Sequence, residues 1–180
     1  MSIDEQIHQL QRRSEQILNV ADLRTKLARS AATGKPLRIK LGMDPTAPDV
    51  TLGHAVPLRI IRQFQEWGHK AVLIIGDYTA RVGDPSGREK TRPVLSGEAI
   101  DSNAKTYVAQ VGKILLSDPE HLEVRYNGEW LAKMNLVDLI RLAGRMTVAQ
   151  MLERESFAMR YKEGVEIGRA SCRERVLRLV

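Results

Sequence analysis

The eleven residues from Asp44 to His54, DPTAPDVTLGH, gather two threonine hydroxyls, a glycine and a histidine where a strand gives way to a helix. A plain connection needs turn formers, but it has no need of Gly-His in the first helical turn. A helix N-terminus carries unpaired N–H groups and the positive end of the peptide dipole, so it attracts anions. Gly53 lets a ligand approach the backbone, because no Cβ stands in the way. His54 can aim a ring N–H at a phosphate oxygen, and Thr46 and Thr51 can add hydroxyl donors. Such donors act most strongly on charge that grows in a transition state. The plainer alternative makes Thr51 an N-cap and His54 a surface residue.

A second stretch, TARVGDPSGREKTRP, begins at Thr79 and reads as a long loop. Asp84, between Gly83 and Pro85, can accept charge-assisted hydrogen bonds from an ammonium group. It can equally support its own turn as an Asx motif. Arg88, Lys90 and Arg92 follow, either as a solvated loop or as a cationic flap that closes on a departing pyrophosphate.

The elements that must position these residues are legible as periodicities. Ile3 to Ala32 places apolar residues at helical spacing and reads as one or two amphipathic helices, ended by the TGKP turn. LRIKLGM alternates and reads as a strand. GHAVPLRIIRQFQEWG reads as a helix with Pro57 in its first turn and Gly68 at its end. KAVLIIGD is a continuous apolar run, the pattern of a strand buried on both faces of a parallel sheet. Leu37 to Asp77 is therefore a βαβ unit. A helix from Ser96 to Leu116, a short strand at Leu122 to Tyr126, and helices at Leu136 to Ala143 and Thr147 to Glu153 follow. Thr147 and Gln150 have capping-box spacing. The apolar positions of 135–153 fit a buried core face by default. The NGEW turn after Tyr126 receives no chemical role.

Composition narrows the class. The chain has 180 residues, enough for one α/β domain. It lacks an apolar span of membrane length and its polar start has no signal-peptide core, so a cytoplasmic protein without membrane contact is expected. The single cysteine, Cys172, cannot form an internal disulfide, and no cluster has zinc spacing, so no metal site is expected. Lys and Arg number 28 against 22 Asp and Glu, but the last twelve residues hold four arginines and one glutamate. Without them the balance is 24 to 21, too mild to argue for a nucleic-acid partner. That tail, with its abrupt change of composition after Gly168, resembles translated sequencing-adapter DNA and reads as non-native.

LGMDPTAPDVTLGHAVPL resembles the first signature of class I aminoacyl-tRNA synthetases, the His-x-Gly-His motif, in the form found in tyrosyl-tRNA synthetases. GDYTARVGDPSGREKTRP and NLVDLIRLAGRMTVAQMLERESFAMRYKEGVEI resemble the same family, so the likeness runs from Leu37 to Ile167. Thr51 stands where the motif has its first histidine; a hydroxyl can still donate to a phosphate.

The resemblance implies an α/β fold, the Rossmann-like parallel sheet of a class I synthetase, incomplete and preceded by N-terminal helices. Residues 1–36 would form the helical segment, 37–168 the N-terminal part of the catalytic domain, and 169–180 the foreign tail. It implies ATP binding by Gly42, Asp44, Thr46, Thr51, Gly53 and His54, and contacts from Thr79 and Asp84 to the α-amino group of tyrosine. Catalysis would rest on His54, Thr51, Thr46, Arg88 and Arg92. The implied reaction joins L-tyrosine and ATP, with Mg2+, into tyrosyl-adenylate and then charges tRNA(Tyr). The family is homodimeric through the neighbourhood of residues 135–153. The later tyrosine-pocket helix, the KMSKS-type loop and the anticodon-binding region are absent, so this polypeptide alone is expected to be an inactive fragment. The rival readings are a tryptophanyl-tRNA synthetase, a smaller adenylyltransferase, and a non-catalytic nucleotide-binding paralogue.

Overall fold

The computed structural model describes residues 1–82, 96–145, 147–153 and 155–164. The N-terminal stretch forms two helices, α1 (Ile3–Arg13) and α2 (Val20–Thr33). Ser2 and Glu5 start α1 with a reciprocal capping box, the Glu5 N–H donating to the Ser2 hydroxyl and the Ser2 N–H to the Glu5 carboxylate. That bonding holds the Glu5 carboxyl below its ordinary pKa. Asn19 caps α2, and Gly34 ends it at φ 66°, a left-handed conformation that favours glycine.

β1 (Arg38–Met43), α3 (Leu52–Glu66) and β2 (Lys70–Ile75) form the expected βαβ unit, and β3 (Leu122–Tyr126) completes a sheet in the order β1-β2-β3. The strands are parallel. Lys70 N–H donates to the Leu37 carbonyl and Gly76 N–H to that of Met43, so both partners advance together. Ala71 N–H to His121 and Asn127 N–H to Ile75 give the same sense between β2 and β3. β2 is central, and Ala71 to Ile75 are all buried, in keeping with the uniformly apolar run of those five residues.

Contacts divide the chain into two compact units. The first comprises Met1–Leu41, Asp49–Ile74 and Thr106–Val124. The second comprises Gly42–Pro48 and the described residues of Ile75–Lys105 and Arg125–Val180. In the first unit Ile7, Leu10 and Leu27 of the N-terminal helices share a core with Phe64 of α3. Gln65, 1% exposed, donates from Nε2 to the carbonyls of Leu116 and His121 and accepts from Leu116 N–H at Oε1.

Several expectations are corrected. Pro57 is the sixth residue of α3, in its second turn, so it withholds an N–H from the Gly53 carbonyl. Gly68, at φ 82°, follows the helix end as anticipated. The stretch from Thr79 is not wholly loop: α4 (Asp77–Val82) is helical. In its first turn the Tyr78 N–H donates to the side chain of Asn127, a partner too distant in sequence to be read locally. α5 (Gly97–Val111) stops short of Leu116, whose N–H is taken by the Gln65 side chain. α6 (Gly128–Leu131), α7 (Leu136–Ala143) and α8 (Val148–Leu152) follow, with the capping box at Thr147 and Gln150 formed. α9 (Glu155–Lys162) is a further helix that the periodicities had not marked.

Residues 135–153 do not form the buried face expected of them. Leu142 and Met151 are buried, but Leu136, Val137, Ile140 and Val148 are 53–70% exposed. Among the described residues no helix is long and apolar enough to cross a membrane.

Candidate functional site

In the first unit, the site is built on the N-terminus of the fifteen-residue helix α3. Val50 N–H donates to Gln110 Oε1 at 2.9 Å, fixing the approach to the helix. Thr51 is the N-cap in extended conformation, φ −80° and ψ 166°. The His54 ring folds back upon it: Thr51 backbone N–H donates to His54 Nδ1 at 3.1 Å, and Thr51 Oγ1 lies 2.9 Å from the same nitrogen. This is the capping-box arrangement with imidazole in the place usually held by Glu or Gln.

A consequence follows for the ring proton. A backbone N–H can only donate, so Nδ1 must accept, and neutral His54 carries its hydrogen on Nε2. The N-cap role of Thr51 and the donor role of His54 are thus compatible, since the first sets up the second. The ring is half-buried and lies 6.2 Å from that of the buried Tyr107. Thr51, Leu52 and Gly53 are exposed, Leu52 by 89%. A Cβ placed on Gly53 would meet only Thr51 Oγ1, at 3.5 Å, so packing within the chain does not demand glycine there.

In the second unit, Asp44, Thr79 and Asn127 form a hydrogen-bonded row. Thr79 Oγ1 donates to Asp44 Oδ1 at 3.0 Å and receives Asn127 Nδ2 at 2.8 Å. Thr46 N–H closes a tight turn on the Asp44 carbonyl at 2.8 Å, about Pro45, whose own carbonyl accepts from Asn103 Nδ2 at 3.1 Å. Gly76 makes the row possible. A Cβ there would stand 1.9 Å from Asp44 Oδ1 and 2.6 Å from Thr79 Oγ1. Asp77 faces the same neighbourhood, accepting from Gly128 N–H at 2.9 Å, and a Cβ on Gly128 would crowd it at 2.8 Å.

Sequence-expected residues are therefore placed in two groups. Thr51, Gly53 and His54 lie together at the start of α3; Gly42 is exposed on β1, and Asp44 and Thr46 follow in the second unit with Thr79. Asp44, expected at the ATP site, is bonded to Thr79, expected at the amine. Asp84, Arg88, Lys90 and Arg92 lie outside the described residues, as do Met146 and the tail with Cys172. Gly76 and Asn127 were missed. A signal existed: both follow directly on strand ends, Gly76 after β2 and Asn127 after β3, where parallel sheets carry their sites. Among the described residues no group of three or more His, Cys, Asp or Glu is arranged to hold a metal ion.

Comparison with known proteins matches residues 32–170 to the family described as tRNA synthetases class I (W and Y). The chain is 54% identical over 164 residues to a tyrosine–tRNA ligase of Symbiobacterium thermophilum, covering 91% of this chain and 40% of that protein. It is 52% identical over 167 residues to one from Thermotoga maritima, covering 93% and 40%. The chain thus spans about 40% of the length of these curated relatives. Among solved structures it is similar to a C-terminally truncated mitochondrial tyrosyl-tRNA synthetase of Aspergillus nidulans, with TM-score 0.61 and 26% identity, covering 79% of this chain and 43% of that one. The corresponding protein of Coccidioides posadasii shares the fold, with TM-score 0.72 and 23% identity, covering 95% and 49%.

Proposed function

Since the chain belongs to the class I tRNA synthetases of the tryptophan and tyrosine family, we propose that it forms part of a tyrosine–tRNA ligase. A carboxylate oxygen of L-tyrosine attacks the α-phosphorus of ATP, which enters as its magnesium complex. A P–O bond forms, the bond to the β-phosphate bridge breaks, and pyrophosphate leaves with the electron pair. The terminal ribose hydroxyl of tRNA(Tyr) then attacks the acyl carbon and releases AMP.

The observation that carries this reading is the open start of α3 with His54 Nε2–H available to donate. In the reaction, the amides opening α3, the Nε2–H of His54 and the hydroxyl of Thr46 bind phosphate oxygens that gain charge, while Thr51 serves by holding the His54 ring through Nδ1. Gly53 allows the triphosphate to lie against backbone, and Gly42 and Asp44 border the nucleotide. Arg88 and Arg92 neutralise the leaving pyrophosphate. Thr79 and Asp84 take the α-amino group. The Thr79–Asp44 hydrogen bond brings the Asp44 carboxylate into that task as well, because an anion attracts ammonium and repels phosphate. No protein nucleophile is needed; positioning and charge complementarity supply the rate. The protein works in the cytoplasm as a homodimer, joined through the exposed apolar face of α7 and α8.

Exchange of label between pyrophosphate and ATP tests the reading, measured on a full-length protein carrying this sequence. Tyrosine should support exchange and tryptophan should not. Exchange driven by tryptophan would point to the other substrate of the family, and nucleotide binding with no exchange to a non-catalytic paralogue.

A further inference from the structure

Asn127 lies at the C-terminal end of β3 with no exposed surface, 0%. Its backbone N–H donates to the Ile75 carbonyl at 2.9 Å, which seats it at the end of β2. The Tyr78 backbone N–H donates to Asn127 Oδ1 at 2.9 Å. Because a backbone N–H can only donate, that contact decides which end of the amide is oxygen. Nδ2 must then face Thr79 Oγ1, at 2.8 Å, and it too can only donate. Thr79 accepts there, so its own proton is released toward Asp44 Oδ1 at 3.0 Å, in preference to the Gly76 carbonyl at 3.4 Å.

We infer that Asn127 is a positioning residue for the ammonium group of the substrate, acting by setting the direction of the hydrogen bonds that run through Thr79 to Asp44. The inference rests on the amine-binding reading of Thr79 given above. Each member is held by one that cannot reverse its role, so a single backbone N–H fixes the orientation of the whole row. The result is a carboxylate anchored by a donor behind it, with Thr79 accepting rather than competing for a ligand proton. An ammonium group, which only donates, is the ligand such acceptors suit.

Asn127→Asp provides the test. The carboxylate still accepts from Tyr78 N–H, so α4 keeps its cap, but it no longer donates to Thr79. The Thr79 proton is drawn toward residue 127 and Asp44 loses its anchor. In a full-length protein carrying this sequence, two competitive inhibitors are compared: tyrosinol, which has the amine, and 3-(4-hydroxyphenyl)propanoate, which lacks it. Tyrosinol should bind about tenfold more weakly or worse, as for a lost hydrogen bond to a charged group. The affinity of the amine-free acid should stay unchanged. Thr79→Val breaks the row at its middle and should reproduce the selective loss. Equal weakening of both inhibitors in the two variants, or of neither, overturns the role of Asn127 while tyrosine-dependent exchange by the parent protein leaves the functional reading intact. A parent protein that binds no tyrosinol and shows no exchange defeats both.

Discussion

Replacing Gly76 by alanine gives the sharpest structural test of the row at Asp44. Gly76 does not have positive φ, so any cost is one of space and not of backbone conformation. The new methyl would lie 1.9 Å from Asp44 Oδ1, 2.6 Å from Thr79 Oγ1 and 3.0 Å from Asp44 Cγ. The short aspartate side chain cannot yield that distance and still hold Thr79 at 3.0 Å, so the hydrogen bond must break. A hydrogen bond to a charged group is worth about 1.5–3 kcal/mol, and forced overpacking about 1–3 kcal/mol. The two describe one displacement, so the expected destabilisation is about 2–3 kcal/mol. Gly53→Ala is the internal contrast. Its Cβ meets only Thr51 Oγ1 at 3.5 Å, and alanine is better than glycine within a helix by about 0.8–1 kcal/mol. That variant should be neutral or slightly more stable, yet raise the KM for ATP. Urea unfolding followed by circular dichroism reads both stabilities. Equal midpoints for Gly76→Ala and the parent would refute the placement of Asp44.

Gln65→Leu leaves backbone groups of Leu116 and His121 without their buried partner and should cost about 2–4 kcal/mol in the same unfolding assay. His69 is buried, accepts from Leu37 N–H at Nδ1, and has its pKa lowered by that burial. Its stabilising effect is therefore complete above the ordinary histidine pKa and lost as pH falls from there toward the folded-state value, because the unfolded chain takes up the proton first. The melting temperature should drop over that acid window, and the part due to His69 should vanish in His69→Gln; an unchanged slope would contradict it. Ile140→Asp, at a residue of α7 that is 61% exposed, should convert the proposed dimer to monomer in sedimentation velocity without loss of helicity.

Patterns that depend on burial alone were readable from sequence. The apolar run of β2 is buried on both faces, and the βαβ unit stands where its alternating periods put it. The helix-start motif was legible too, because Gly, His and a capping hydroxyl are tied to one local geometry. Features created by distant partners were not. Helix α4 forms where Asn127 reaches back to Tyr78, and Gln65 captures Leu116 beyond the end of α5. The amphipathic pattern of α7 marked an apolar face without saying what covers it, and within this chain most of that face is uncovered. Asp44 shows the same limit at the site. The family resemblance implied a nucleotide contact for it, whereas its bond to Thr79 depends on a glycine thirty-two residues later.

The central claim is that the start of α3 and the Nε2–H of His54 bind the triphosphate most tightly as pyrophosphate leaves. Rapid-quench measurement of tyrosyl-adenylate formation in His54→Ala, in a full-length protein carrying this sequence, tests it most directly. The rate of adenylate formation should fall about 100-fold or more, as for loss of one donor to developing charge, with dissociation constants for tyrosine and ATP little changed. An unaltered rate, or a loss expressed wholly in ATP affinity, would contradict it.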